Sequence, residues 1–584
     1  MAREHRVVDH IVETLAATGV DHIFGVDGAN IEDLYDAAHT CAGLTAVLAK
    51  HEFSAATMAD GYSRSGAGLG VVAATSGGGC LNTVPGLGEA LASRVPVLAL
   101  IGQPPTGLDG RGAFQDTSGR NGALDGYALF SAVSLFCRRI TVPDQIGPAL
   151  ADAVAAARTG GPAVLLLPKD VQQARFCGTT AHDGIPVRRA DDPGVIVDAL
   201  RRADGPVTII AGEQLARDDA RAELDRLRAL LEASVATVPD AKDVASGPDV
   251  GVTGVMGHPG VVEALRRSAL CLLVGTRLTV TARGGLDEAL SAVPTYSVGS
   301  EAPYPPAVHV YTDDLRETLR ALADTVGSRR REPMMLARNE LRPPPHDGPG
   351  LRYRDAMAVL DAALADDVDI VVDAGNTGAA AIHHLPVRRD GRFLVALGMG
   401  GMGYSFGAGI GMALHRRRRT VVIAGDGAFL MHGMEIHTAV QYRLPITYVL
   451  FDNHAHAMCV TREQLFYGDR YSYNRFGPSR LGAGLAAMFP GLSAVDVDTV
   501  DDLTAVLAVA LHGDGPAVVS VECSADEIPP FAPFLDQPKE RSIDVIAGAD
   551  DRRRHPHRER TTGEGHADHH GDDAVGVPAR AGLR

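Results

Sequence analysis

The chain of 584 residues has no tryptophan, and only four of its 55 cationic residues are lysines, Lys50, Lys169, Lys242 and Lys539. It also lacks any excess of cations: 55 Lys and Arg stand against 72 Asp and Glu, a formal charge of −17. General nucleic-acid binders and proteins that adhere to anionic membranes need a basic surface, so both classes are set aside. Seven cysteines (Cys41, Cys80, Cys137, Cys177, Cys271, Cys459 and Cys523) are odd in number, scattered and never spaced C-x-x-C. That argues against a disulfide framework and a zinc knuckle, and for buried thiols in a reducing compartment. No apolar run approaches the ~18–20 residues that cross a bilayer. The first residues, Met-Ala-Arg-Glu-His-Arg, carry no apolar leader segment. A cytoplasmic protein is expected.

What is present is ordinary globular material, 45% hydrophobic and 22% charged. At roughly 100–200 residues per domain, the length allows about three to five domains. Short apolar runs recur between helical stretches: Val71–Thr75, Val95–Ile101, Ala163–Leu167, Val207–Ile210, Leu272–Val274, Ile370–Val372, Val421–Ile423 and Thr447–Phe451. Strands without polar alternation, separated by helices, belong to parallel sheets covered on both faces. The expected fold class is therefore α/β, with three doubly wound parallel-sheet domains. Asp-Asp-Pro at 191–193 and the Arg/Pro-rich segment 328–350 mark the seams, giving domains of about 1–185, 190–330 and 350–535. From 548 to 584 the chain is His-, Asp-, Gly- and Arg-rich with little that is apolar, and a disordered tail is expected there. Its histidines read as solvated rather than as metal ligands.

Three constellations carry chemistry. Gly425-Asp426-Gly427 follows the strand run ending at Ala424, and 24 residues separate it from Asp452-Asn453 at the end of another. Oxygen-bearing side chains at the ends of neighbouring strands, beside a glycine-flanked turn into a helix, suit magnesium shared with a diphosphate. Taken alone, Gly-Asp-Gly reads equally as a tight turn. The second is His51-Glu52-Phe53-Ser54-Ala55-Ala56-Thr57-Met58, a carboxylate at the head of an apolar helix, where desolvation demands a partner for it. The third, Gly398-Met399-Gly400-Gly401-Met402-Gly403, is literally G-x-G-x-x-G, with Asp426 ending the next strand about 20 residues on. That opens a rival, NAD-dependent dehydrogenase reading, which leaves Glu52 and the spacing from Asp426 to Asn453 unexplained.

Taken together these residues resemble the thiamine-diphosphate enzyme superfamily, and within it the acetolactate (acetohydroxyacid) synthase-like group, over about residues 5–530. The resemblance implies pyrimidine-binding, central and diphosphate-binding domains in that order. It makes Asp426, Asn453 and the carbonyl of Ala455 magnesium ligands, and Glu52 the partner of the cofactor's aminopyrimidine. Met402, beside Gly400, would prop the bent cofactor, while Asn376 and Thr377 would contact the diphosphate together with Gly425, Gly427 and Ala428. Phe114-Gln115 resembles the branch's Phe-Gln-Glu, with Gln115 lining the reaction centre. Lys169 in Pro-Lys-Asp-Val resembles a catalytic lysine at the site entrance, which with Gln115 would orient the carboxylate and developing oxyanion, and a compact ammonium is notable in an arginine-dominated chain.

Several positions depart from the pattern. Arg462, on a segment with Met458, replaces the tryptophan that selects the second keto acid in typical synthases, and Thr281 replaces an arginine of the family's central motif. Asp452 stands where the family has a first asparagine that does not bind the metal. Asn376-Thr377 replaces Gln-His, and Asp27 and Asn30 bring polar groups to the usual Pro-Gly-Gly turn. His454 and His456 read either as acid/base groups or as loop histidines packed on backbone.

The implied activity is decarboxylation of a 2-oxo acid, pyruvate first, and transfer of the acyl carbanion equivalent to a second 2-oxo acid or an aldehyde. The alternatives are a non-ligating 2-oxo-acid decarboxylase and an idle cofactor-binding subunit. Implied partners are small 2-oxo acids and further copies of the chain, as a homodimer or homotetramer with the site built between copies. Nucleic acid and membrane are excluded. Thiamine diphosphate and Mg2+ are the expected cofactors. True acetohydroxyacid synthases also hold FAD in the central domain, which this chain matches poorly, and FAD is left open.

Overall fold

A computed structural model describes residues 5–176, 188–246, 250–327, 334, 336 and 339–535. The tail read at 548–584 lies outside them, as do Cys177 and Lys539. Three six-stranded, all-parallel sheets follow one another along the chain.

The first contains β1 (His22–Val26), β2 (Thr45–Leu48), β3 (Gly70–Ala74), β4 (Val97–Gln103), β5 (Phe136–Arg139) and β6 (Pro162–Pro168), in the order β2-β1-β3-β4-β6-β5. The second contains β7 (Val207–Ala211), β8 (Ser234–Thr237), β9 (Gly251–Val252), β10 (Leu270–Val274), β11 (Thr295–Gly299) and β12 (Val308–Tyr311), in the order β12-β11-β10-β7-β8-β9. The third contains β13 (Asp369–Val372), β14 (Phe393–Val395), β15 (Thr420–Gly425), β16 (Ile446–Asp452), β17 (Ser493–Val497) and β18 (Ala517–Glu522), in the order β14-β13-β15-β16-β18-β17. The first and third sheets thus share one topology. Most inner strands are buried from end to end, as in Val-Leu-Ala-Leu-Ile-Gly-Gln of β4, because helices cover both faces, while edge strands such as β5 and β17 are partly exposed.

The first and third sheets are joined through two helices that are themselves core. Glu52–Tyr62 has ten of its eleven residues buried, and Tyr404–Arg416 is buried over Tyr404–Ala413. A helix apolar all round must lie inside a protein. One continuous hydrophobic cluster runs from Phe24 and Val47 through Met58 and Phe406 to Val422 and Tyr448, whereas the central sheet has a core of its own, from Ile196 to Ala323.

Candidate active site

Parallel strands bring their C-terminal ends to one edge, and register decides what meets there. Gly425 pairs with Phe451 across β15 and β16, so Asp426 and Asp452 emerge side by side, and Glu522 of β18 lies opposite Asp452. Asp426 opens the helix Asp426–His432. Its Oδ1 accepts the N–H of Gly427 at 2.9 Å and its Oδ2 that of Ala455 at 3.1 Å. The same Ala455 N–H donates to Asn453 Oδ1 at 3.1 Å. Asp426, Asp452 and His454 offer ligand atoms within 4.8 Å of one another. Burial, then the neighbouring Asp452, pushes the Asp426 carboxyl up to about 7, and burial also raises that of Asp452.

The loop around this cluster is held firmly. His454, at φ +55°, sits in the left-handed region that few non-glycine residues adopt, and its ring lies 3.1 Å from Asp452 and 3.2 Å from Glu522. Asn376 and Thr377 start the helix Asn376–His384 behind Gly375, whose φ of +106° makes the turn out of β13. Asn376 Nδ2 donates to Thr461 Oγ1 at 3.2 Å, while its Oδ1 is buried without a partner. Asp373 accepts the N–H groups of Gly403 and Ser405, both at 2.9 Å, and so fixes the loop that carries Gly400 and Met402. A Cβ at Gly427 would lie 2.5 Å from His456 Nδ1 and 3.2 Å from Met402 Cε, which puts both side chains against that glycine. His456 Nδ1 is buried without a hydrogen-bond partner. Ala428 is buried beneath the turn.

The orphaned Asn376 Oδ1, the facing carboxylates and the hard-oxygen donor set fit a divalent cation with a diphosphate. Asp452 belongs to this cluster, although the resemblance sets its position apart from the metal. It is legible in sequence only as a strand end, and register is what brings it beside Asp426.

The second cluster lies at the edge of the first sheet. Val26 pairs with Ala74 and Gln103 with Pro168, so Asp27, Thr75 and Lys169 all leave at strand ends. Glu52 is the first residue of its helix, behind the cap His51, and its Oε2 accepts from Asn82 Nδ2 at 2.9 Å. A Cβ at Gly79 would meet Glu52 Oε1 at 3.1 Å and Thr75 Cγ2 at 2.8 Å. Gln115, at φ +60°, turns its Oε1 toward Thr75 Oγ1, Ser76 Oγ and Asn30 Nδ2 at 3.4, 3.5 and 3.5 Å. Asn30 is buried and bonded to Ser76 Oγ at 2.7 Å. Lys169 Nζ donates to Ala29 O at 2.6 Å and pairs with Glu32. It is thus tied to the turn that carries Asp27 and Asn30. Sequence reading missed Asn82 and Ser76, which no spacing connects to Glu52 or Gln115.

The remaining candidates are placed as follows. Phe114 is exposed beside Gln115. Met458 and Arg462 lie on the helix Ala457–Tyr467, with the Arg462 guanidinium 5.4 Å from the Phe466 ring centre. Among the described residues no hydrogen bond joins the Glu52 cluster to the Asp426 cluster. In the G-x-G-x-x-G loop the N–H groups of Gly398 and Met399 donate at 3.1 and 2.6 Å to the buried carboxylate of Glu89, and that of Gly403 to Asp373, so these three are not free for a dinucleotide phosphate.

Three family profiles match the chain, one on each sheet: the thiamine pyrophosphate enzyme N-terminal TPP binding domain over residues 5–122, the central domain over 195–322, and the C-terminal TPP binding domain over 373–521. A "probable acetolactate synthase large subunit" of Methanocaldococcus jannaschii is 27% identical, covering 90% of this chain and 93% of its own. The acetolactate synthase isozyme 2 large subunit of Escherichia coli is also 27% identical, covering 90% and 96%. Among solved structures, a "putative thiamin diphosphate-dependent enzyme" from Mycobacterium smegmatis superposes with a TM-score of 0.75 at 22% identity, covering 89% of this chain and all of that one. With the profiles falling on the three sheets and the two polar clusters at their C-terminal edges, the chain belongs to the thiamine pyrophosphate enzyme family and is an acetolactate synthase-like enzyme.

Proposed function

We propose a thiamine-diphosphate- and Mg2+-dependent carboligase that decarboxylates a 2-oxo acid, pyruvate in the first instance, and joins the acyl fragment to a second 2-oxo acid or an aldehyde. The observation that carries this reading is the convergence of Asp426, Asn453 and Ala455 at one sheet edge, in a chain that also holds Glu52 at the head of a buried helix. The end-to-end alignment with acetolactate synthase large subunits supports ligation as the outcome. We also take the three sheets as domains of about 1–185, 190–330 and 350–535.

When bound, thiamine diphosphate supplies the electron sink for loss of carbon dioxide. Asp426, Asn453 and the carbonyl of Ala455 would hold the cation, with the start of the helix Asn376–His384 toward the diphosphate. Glu52, fixed by Asn82, would hold the proton shared with the aminopyrimidine. Gln115, its oxygen turned to Thr75 and Ser76, leaves its amide N–H groups to orient a carboxylate or oxyanion. Lys169 holds the Asp27–Asn30 turn, and Arg462 and Met458 would meet the acceptor. As the sequence resemblance implies a site built between copies, we place Glu52 of one copy opposite Asp426 of another, which makes a homodimer the smallest working unit.

One observation favours a second reading. The unpartnered Nδ1 of His456 beside Gly427 could deliver a proton, giving a simple decarboxylase. Incubation with thiamine diphosphate, Mg2+, pyruvate and a panel of 2-oxo acids and aldehydes, followed by mass spectrometry, separates the two. A 2-hydroxy-3-oxo product is expected, and acetaldehyde with no ligation product would favour the second. Glu52→Gln should lower turnover by about 100-fold or more. Unchanged turnover would defeat both and leave an idle cofactor-binding subunit.

A further inference from the structure

Counted from its own first strand, the central sheet has the order 3-2-1-4-5-6, with its switch point between β7 and β10. Sheets of this order bind dinucleotides in the crevice outside the strand ends at that point, where glycines let the backbone approach the pyrophosphate. A flavin held by the central domain, as the sequence resemblance raised, would need that crevice open.

Here the crevice is filled by the chain itself. The loop after β7, Gly212-Glu213-Gln214, is drawn onto the end of β10 by backbone bonds from Gly212 N to Val274 O at 2.9 Å and from Gln214 N to Gly275 O at 3.0 Å. The Gln214 side chain, 4% exposed, then crosses the ends of the neighbouring strands. Its Nε2 donates to Thr312 O just past β12 and to Asp218 Oδ2, both at 3.0 Å, and its Oε1 accepts Ser300 N just past β11 at 2.7 Å. The space beside the two glycines here is taken by the same residue. A Cβ at Gly275 would meet Gln214 Cβ at 2.9 Å, and one at Gly299 would meet Gln214 Oε1 at 2.9 Å.

Over the strand ends lie two voids of about 30 and 20 Å³, both lined by Glu213 and Arg277. A small-molecule pocket takes about 300–1,000 Å³. Asp240 lines the larger void with Glu213, so two carboxyls stand where a pyrophosphate would have to come. Arg277, one of the arginines that offset them, is paired with Glu301 at 3.3 Å. A cleft of about 600 Å³ opens beside them, lined by Glu213, Gln214 and Asp240 as well; of its arginines, Arg64 is matched with Asp60, Arg392 with Asp243 and Arg416 with Asp369.

We infer that Gln214 is an internal plug at the switch point and that the crevice between β7 and β10 holds neither FAD nor a nicotinamide dinucleotide. The central domain acts as a structural wedge between the two cofactor-binding domains. The test needs no turnover, so its failure is distinct from failure of the proposed reaction. The full-length protein should release no flavin on denaturation, and its Tm should not move with up to ~1 mM FAD, whereas a ligand that binds the native state raises Tm. In a second arm, Gln214→Ala strips partners from Ser300 N and Thr312 O and should lower Tm by a few degrees. Stoichiometric flavin, an upward Tm shift with FAD, or an unchanged Tm in Gln214→Ala would each overturn the inference.

Discussion

Glu527 accepts the backbone N–H of Tyr353 on its two oxygens at 3.1 and 3.2 Å, and burial pushes its carboxyl up to about 7, with Arg352 only partly offsetting this from 4.0 Å. A carboxyl raised above its unfolded value binds its proton more tightly when folded. The stability it contributes is therefore complete below about pH 4.5 and is lost as pH rises through about 7. Glu527→Gln keeps an acceptor and removes the charge. It should exceed the parent in stability at pH 8 by up to about 3 kcal/mol and match it near pH 4, as Tm against pH would show. At this scale the sequence offers Glu52, Asp426 and Asn453 as candidates, through desolvation and oxygen-donor chemistry read together with the family resemblance. Asn82 and Ser76 were not legible there, because what aims each of them is a neighbour distant in sequence.

The buried helices Glu52–Tyr62 and Tyr404–Arg416 cross at glycines. A Cβ at Gly61 would lie 2.4 Å from Ala408 O, and one at Gly411 would lie 2.0 Å from Met58 O. Backbone stands in the way at both, so the helices would have to separate. Gly411→Ala should cost about 1–3 kcal/mol by overpacking, outweighing the small gain in helix propensity, and denaturant titration would show a lowered midpoint. Glu52 rides on the first of these helices, so activity should fall along with stability. The small residues of Phe53–Tyr62 advertise a packing surface in the sequence. Which helix fills it is not written there, because helices buried all round carry no amphipathic stripe to orient them.

Across the molecule, the central sheet is keyed into the third by Lys242, a lysine 1% exposed. Its Nζ donates to Ala381 O at 3.2 Å and to Leu385 O, and lies 4.5 Å from the Phe393 ring centre. It thereby neutralises the C-terminal carbonyls of the helix Asn376–His384, whose other end carries the diphosphate candidates Asn376 and Thr377. Lys242→Met keeps the stem and takes the donor from Leu385 O, while Ala381 O still accepts Leu385 N at 3.2 Å, and should lower stability by about 1–3 kcal/mol. If the helix then shifts, affinity for thiamine diphosphate should weaken more than turnover at saturation, which a cofactor titration would separate. Among the described residues no helix is long and apolar enough to cross a membrane, in keeping with the absence of long apolar runs.

The sequence by itself determined the α/β class and the succession of three sheets, and its resemblance to a known family singled out Glu52, Asp426 and Asn453 as the candidate cofactor residues. Unbroken apolar strands fit only a doubly covered parallel sheet, and metal and diphosphate chemistry allows few residue types at a strand end. Only the tertiary structure decided that Asp452 stands beside Asp426, that Lys169 is spent on Glu32 and Ala29, and that Gln214 closes the central crevice. Each of these depends on strand register and on contacts between residues far apart in the chain, which local pattern does not encode.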